Sequence, residues 1–328
     1  MLTPFRLLPR LAPRYTYLST RLLHTSLTMT GSTNPTGNAS FAVQNLFNVD
    51  GQTCVVTGGA TGIGLMIAQA FANNGARVYI VGRRAEALQA AVDKWGSSLA
   101  HPKGKMIPLT ADITDKASIE KLAKEIGGKE KKVDVLVNNA GISLGTSKVE
   151  KGDESAEALQ KELWAEKQEN WEAVYRTNVI GYFFTTVAFL PLLSAANSTN
   201  HTGAVINVSS ISGITRTTQH HFMYNVSKSA TIQLNALLGQ ELSRAGVKIR
   251  VNSIAPGIFP SEMTTDSSDE ENKSQIPTSK QYGEEKGIPA GRPGRDEDMA
   301  QLALFLACNE YMYGQTVAVD GGYLLKHP

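Results

Sequence analysis

The sequence predicts an α/β fold, a doubly wound parallel sheet in a single domain, on three observations. From about residue 50, short β-branched runs alternate with helix-period segments to the end of the chain. The first run leads directly into a glycine-rich turn, Thr57-Gly58-Gly59-Ala60-Thr61-Gly62-Ile63-Gly64, and then a helical segment. A Pro256-Gly257 turn closes the sixth run and opens a long polar insertion, at the strand end where open parallel sheets bind ligands.

The elements follow in order. Thr53–Thr57 reads as strand one. Ile63–Asn74 has helical periodicity and ends at Gly75, a residue suited to a left-handed cap. Arg77–Val81 is strand two, Ala85–Trp95 a helix and Lys105–Leu109 strand three. Lys116–Ile126 reads as a helix closed by Gly127, and Val133–Asn138 as strand four. Trp171–Leu193 is a long apolar helix, Ala204–Val208 strand five and Phe222–Ala245 another helix. Val247–Ile254 is strand six, Asp296–Ala307 a helix and Thr316–Val319 the last strand. The charged insertion Lys148–Gln168 reads as a solvated helix and loop. Glu262–Lys286 is acid-rich and aperiodic, and residues 258–290 are expected to form a mobile substrate lid.

Composition narrows the function. The whole chain carries +2. Arg6, Arg10, Arg14 and Arg21, with no acid before Asp50, put +4 on the first 49 residues and leave −2 on the rest. A near-neutral body without a basic stripe argues against nucleic acid as a partner. Cys54 and Cys308 are too few for a disulfide framework or a zinc site, so no metal is expected. The most apolar run, Tyr182 to Leu193, is short and closed by Pro191, which argues against a membrane span. Residues 1–30, rich in Arg, Leu, Ser and Thr, read as a mitochondrial transit peptide with a matrix address. A basic tail on a cytoplasmic protein is the alternative. Residues 31–48 read as a flexible linker and 49–328 as the catalytic domain.

Two features carry chemistry. Tyr224 and Lys228 stand four apart, one turn apart on one helix face. A positive charge beside a phenol favours the phenolate, so the pair suits proton exchange with an alcohol oxygen. Gly58, Gly62 and Gly64 let a pyrophosphate approach the backbone amides at a helix N-terminus. Where an acid would hold the ribose 2′-hydroxyl of NAD, this chain has Gly82-Arg83-Arg84. An arginine fork fits a 2′-phosphate and points to NADP(H).

Residues 50–325 resemble the short-chain dehydrogenase/reductase family in its compact single-domain Rossmann form. The matching positions are Thr57, Gly58, Gly62, Ile63 and Gly64 in the first turn, Asp112 after strand three, and Asn138-Asn139-Ala140-Gly141 after strand four. Asn178, Ser210, Tyr224 with Lys228, the Pro256-Gly257 turn and Asp320-Gly321-Gly322 complete the pattern. Ser210 fits better than Ser209 because Gly213 follows at the family interval. The step from Ser210 to Tyr224 is one residue long, so Thr215–Gln219 is expected to bulge. More locally, Leu65 to Gln69, Ile254 to Ser261 and Arg292 to Arg295 are similar to 3-oxoacyl-thioester reductases, including the bacterial type of rhamnolipid synthesis. The acid-rich lid departs from that type and would repel an acidic carrier protein.

The resemblance implies an NADP(H)-dependent oxidoreductase interconverting a small-molecule ketone and a secondary alcohol. It implies catalytic roles for Ser210, Tyr224, Lys228 and Asn178, with Ser210 on the substrate oxygen, Tyr224 as proton donor, Lys228 on the tyrosine and the nicotinamide ribose, and Asn178 holding a relay water. It implies cofactor contacts from the first turn, Arg83, Arg84, Asp112, Asn139, Tyr224, Lys228, Pro256, Gly257, Phe259 and Ser261. It further implies a homodimer or homotetramer through Trp171–Leu193 and Phe222–Ala245. A non-catalytic dinucleotide-binding scaffold is the alternative reading. For the leader, a fluorescent fusion of residues 1–45 is expected in mitochondria; diffuse cytosolic signal with an uncleaved native N-terminus would reduce it to a basic tail.

Overall fold

The computed structural model describes residues 36–149, 155–265, 267–277 and 279–328. Seven strands form one sheet: β1 (Thr53–Thr57), β2 (Arg77–Gly82), β3 (Lys105–Thr110), β4 (Val135–Asn138), β5 (Ala204–Val208), β6 (Arg250–Pro256) and β7 (Thr316–Val319). Their spatial order is β3-β2-β1-β4-β5-β6-β7 and every pairing is parallel. This is the doubly wound Rossmann sheet. Chain order reverses between β1 and β4, and the crevice opens at the carboxyl ends there.

The helices in chain order are α1 (Val43–Leu46), α2 (Gly62–Asn73), α3 (Ala85–Trp95), α4 (Lys116–Lys129), α5 (Ala156–Trp164), α6 (Gln168–Tyr175), α7 (Gly181–Ser194), α8 (Phe222–Leu242), α9 (Glu262–Thr265), α10 (Lys280–Glu285), α11 (Asp296–Cys308) and α12 (Tyr323–Lys326). Alternate strand residues feed two cores. Val56, Ile80, Val137 and Ile206 pack with Leu65 and Phe71 of α2, Leu88 of α3 and Leu306 of α11. Val55, Tyr79, Leu136 and Val205 face Leu122 of α4, Phe189 of α7 and Leu238 of α8. Strands buried on both faces explain their unbroken apolar runs. Val49 is already fully buried; before it, Gly37–Phe41 and α1 form short helical turns with Phe41 and Val43 exposed. The expected transit peptide lies outside the described residues.

Several expected boundaries move. Gly127 does not close α4, which runs on to Lys129. The following Glu130 bonds Arg77 and Tyr79, so tertiary contacts past the glycines hold the end of this helix. Pro191 lies inside α7 and does not end it. A five-residue π-helical turn, Arg176–Ile180, joins α6 to α7, and the resulting helix Gln168–Ser194 reaches the length and hydropathy of a bilayer span. Its buried residues Phe189 and Leu193 pack on the sheet and Tyr182 packs with Ile113 and Ile119, which accounts for its apolar character. β6 starts at Arg250 and not at Val247, because the chain still turns at Lys248, which is left-handed (φ 51°).

The amino ends of β4–β6 are tied by ions. Arg250, fully buried, donates to the carbonyls of Leu306 and Ala307 at the end of α11 and pairs with Glu310 at 3.1 Å. His201 bonds Asp134 through Nε2 at 3.0 Å and Glu310 through Nδ1 at 3.1 Å. Burial works against its charge, but the hydrogen bonds and charges of the two carboxylates outweigh burial and raise its pKa to about 9. A histidine raised in the folded state adds its full stability below its ordinary pKa and loses it as pH climbs through the folded value. Lys228, held down by burial, tilts the same window the other way. The informative quantity is therefore the difference in urea unfolding free energy between wild type and His201→Gln. It is expected to be largest near about pH 6 and to shrink through about pH 9. A pH-independent difference would contradict a charged His201.

Candidate active site

A cleft of about 490 Å³ opens at the carboxyl ends of the central strands. One wall is the glycine turn. Gly58 and Gly62 adopt φ of +64° and +51°, which a side chain disfavours. A Cβ on Gly58 would lie 2.8 Å from the Asn139 amide, and one on Gly62 2.9 Å from Ser261. Thr61, the N-cap of α2, makes no side-chain cap bond, so the first-turn amides remain for an anion. This cradle fits a dinucleotide pyrophosphate.

Most of the expected cofactor residues line this cleft: Gly58, Gly62, Ile63, Arg83, Arg84, Asp112, Asn139, Pro256, Gly257, Phe259 and Ser261. Two others act behind the wall. Thr57 is fully buried; its hydroxyl donates to Val137 O and accepts from the Asn139 and Ala140 amides, locking β1 to β4. Gly64 packs against the turn, where a Cβ would fall 2.0 Å from Gly58 O. The Asn139 side chain donates to the carbonyls of Thr57 and Gly58, and the Asp112 carboxylate accepts from the amide and hydroxyl of Thr114.

Ser210, Tyr224 and Lys228 meet at the other end of the cleft. Of the two serines, Ser209 is committed to the sheet through Ser253 and Ile254 O. Ser210 Oγ instead accepts from the Ser212 amide, and the residue lines the cleft with Tyr224. The long step between Ser210 and Tyr224 is taken up by Gln219 and His220, both left-handed (φ 52° and 64°). Gly213 lets α8 come close: a Cβ there would lie 2.5 Å from the Lys228 carbonyl carbon.

Asn178 sits in the π-helical turn, a local distortion common at functional sites. It does not line the cleft. Its side chain accepts from the Ile142 amide and donates to Ile142 O and Ser227 Oγ, and its carbonyl accepts from Thr231. It stands behind Gly141, whose Cβ would be 3.2 Å from Asn178 Oδ1 and 3.5 Å from Lys228 Nζ.

The electrostatics correct one expectation. Lys228 Nζ donates to Val208 O at 2.9 Å and lies 5.6 Å from the centre of the Tyr224 ring. Burial brings its pKa down to about 7. Burial also pushes Tyr224 up to about 12. The amine does not lower the phenol in the protein alone, because the same dry surroundings disfavour both charges. Tyr224 is therefore kept in its protonated form.

Sequence reasoning missed Glu262, Thr177, Met263 and Thr264, all of which line the cleft. Glu262, Met263 and Thr264 lie in the aperiodic insertion and Thr177 in the π-helical turn; only their place after the Pro256-Gly257 turn or beside Asn178 pointed to them.

The family model described as short chain dehydrogenase matches residues 52–272. The short-chain dehydrogenase/reductase PhomF of Diaporthe leptostromiformis is 37% identical over 297 residues, covering 88% of this chain and 97% of that protein. The rhamnolipids biosynthesis 3-oxoacyl-[acyl-carrier-protein] reductase of Pseudomonas aeruginosa is 36% identical over 281 residues, covering 85% and 98%. A solved Pseudomonas aeruginosa RhlG/NADP active-site complex superposes with a TM-score of 0.68 at 34% identity, covering 85% of this chain and 98% of that one.

Proposed function

Since the chain belongs to the short-chain dehydrogenase family, we propose that this oxidoreductase is an NADP(H)-dependent ketoreductase, interconverting a ketone and a secondary alcohol. The observation that carries the reading is the meeting of Ser210, Tyr224 and Lys228 at one end of a cleft whose other end holds the glycine cradle and Arg83. The RhlG/NADP complex supports the choice of phosphorylated cofactor, as does the absence of an acid from Gly82-Arg83-Arg84.

The residues divide the work. The turn amides hold the pyrophosphate and Arg83 the 2′-phosphate. A nicotinamide held there would supply the hydride for reduction of the carbonyl carbon, and in its oxidised form would accept one from the alcohol. Ser210 donates a hydrogen bond to the substrate oxygen and fixes it beside the phenol. Tyr224, kept protonated by its surroundings, gives its proton to that oxygen as negative charge develops there. Lys228 stands below Tyr224 with an amine poised near neutrality, able to return a proton to the phenolate. Asn178 acts through position, pinning Ile142 and Ser227 around Lys228.

The named activity of the Pseudomonas reductase supports a 3-oxoacyl thioester as substrate class. The Diaporthe relative carries no substrate in its name and leaves room for a secondary-metabolite ketone. Asp269, Glu270 and Glu271 in the insertion disfavour a carrier-protein form of the thioester, since carrier proteins are acidic.

Tyr224→Phe keeps the ring and removes the proton. Single-turnover reduction of a 3-oxoacyl thioester by NADPH is expected to slow by about 10²- to 10⁴-fold, with NADPH binding retained. A wild-type rate would overturn the assignment. Cofactor binding by wild type without turnover over a broad carbonyl panel would favour a scaffold.

A further inference from the structure

The two arginines after β2 are used differently. Arg83 is exposed, lines the cleft and makes no ion pair among the described residues. The fork of Arg84 is already engaged: Nη2 donates to Glu262 Oε2 at 2.7 Å and Nη1 to Oε1 at 3.1 Å. Glu262 reaches it from the far rim, as the first residue of α9 beyond the Pro256-Gly257 turn. The carboxylate is held in place. Ser268 Oγ donates to Oε1 at 2.8 Å.

The segment that follows is anchored to the same wall. Asn272, nine-tenths buried and left-handed (φ 60°), donates to Ala60 O in the glycine turn and to Ala87 O in α3. Trp95 Nε1 donates to Glu271 O. The acid-rich part of the insertion thus lies on the adenosine side of the cleft, and its first carboxylate closes a bridge to Arg84 across the cleft mouth.

We propose that Glu262 is a cofactor-specificity residue: its carboxylate occupies the Arg84 fork, so a phosphate on the adenosine ribose gains Arg84 only by displacing it. This rests on the NADP(H) reading above. A bidentate arginine–carboxylate pair and an arginine–phosphate pair use the same fork geometry, so the two anions compete for one donor set. An unphosphorylated ribose makes no such demand and leaves the bridge closed. Glu262 therefore lowers the preference for NADP(H) below what two adjacent arginines would give. Arg83 is the fork left open for the phosphate.

The test is fluorescence titration of NADPH and NADH into the full chain as wild type, Glu262→Gln, Arg84→Gln and the double variant. Glutamine keeps an acceptor for Ser268, so that bond is retained. Glu262→Gln is expected to tighten NADPH about two- to tenfold and to leave NADH within about twofold. The gain should shrink when Arg84 is already Gln, because no fork remains to be released. Unchanged or weaker NADPH binding, or an equal shift for both cofactors, overturns the proposal and leaves the pair a merely structural latch. Wild-type protein that binds neither dinucleotide overturns the NADP(H) reading and this proposal together. Wild type that binds NADPH tightly, with a Glu262→Gln variant that does not separate the cofactors, overturns this proposal alone.

Discussion

The structure around the cleft depends on one buried amine. Lys228 is 3% exposed, and its Nζ has the carbonyl of Val208, at the end of β5, as its hydrogen-bond acceptor. An amine in so dry a place is costly to charge, and each group around it bears on that balance. Tyr182 spends its hydroxyl on the same Val208 carbonyl. Gly141 opens the space on one side, where a methyl group would crowd Asn178 Oδ1 and touch Lys228 Nζ. Gly213 lets the backbone of α8 press against the turn after β5, which fixes how deep Lys228 sits. The π-helical turn brings Asn178 to Ser227 and Ile142 and completes the surround.

The two ends of the sheet meet charge in opposite ways. At the amino ends, Asp134, His201, Arg250 and Glu310 are buried or half-buried but mutually paired, and hydrogen bonds hold the Asp134 and Glu310 carboxyls below their ordinary range and the His201 imidazole above it. At the carboxyl ends, Tyr224 and Lys228 have few polar partners, and their surroundings favour the uncharged forms. Paired ions fasten strands together; buried groups with few polar partners shift toward their uncharged forms. A parallel sheet makes this division natural, because one end gathers the crossover loops and the other gathers the ligand.

Much of this was legible in the sequence, for physical reasons. β1, β5 and β7 and the helix Ala85–Trp95 lie where their β-branched or periodic patterns put them. The glycine turn, Ser210, Tyr224 and Lys228 converge because each follows a strand or sits on a helix with strong local signals. The misreadings share a cause. Gly127 and Pro191 look like terminators locally, yet tertiary packing carries both helices past them. The engagement of Arg84 by Glu262 joins residues 178 apart in sequence across an aperiodic loop, and no local pattern announces such a pair. The protonation of Lys228 is not legible from four-residue spacing, which reports proximity, whereas burial is what holds its pKa down.

The central claim is that the fold alone sets Lys228 near neutrality and leaves Tyr224 protonated. The most direct measurement is an NMR titration of the cofactor-free protein labelled with ¹³Cε-lysine, with the Lys228 signal assigned from its loss in Lys228→Met. The account predicts a pKa of about 7 for this one lysine. A Lys228 that titrates with the surface lysines, near about 10.4, would contradict it.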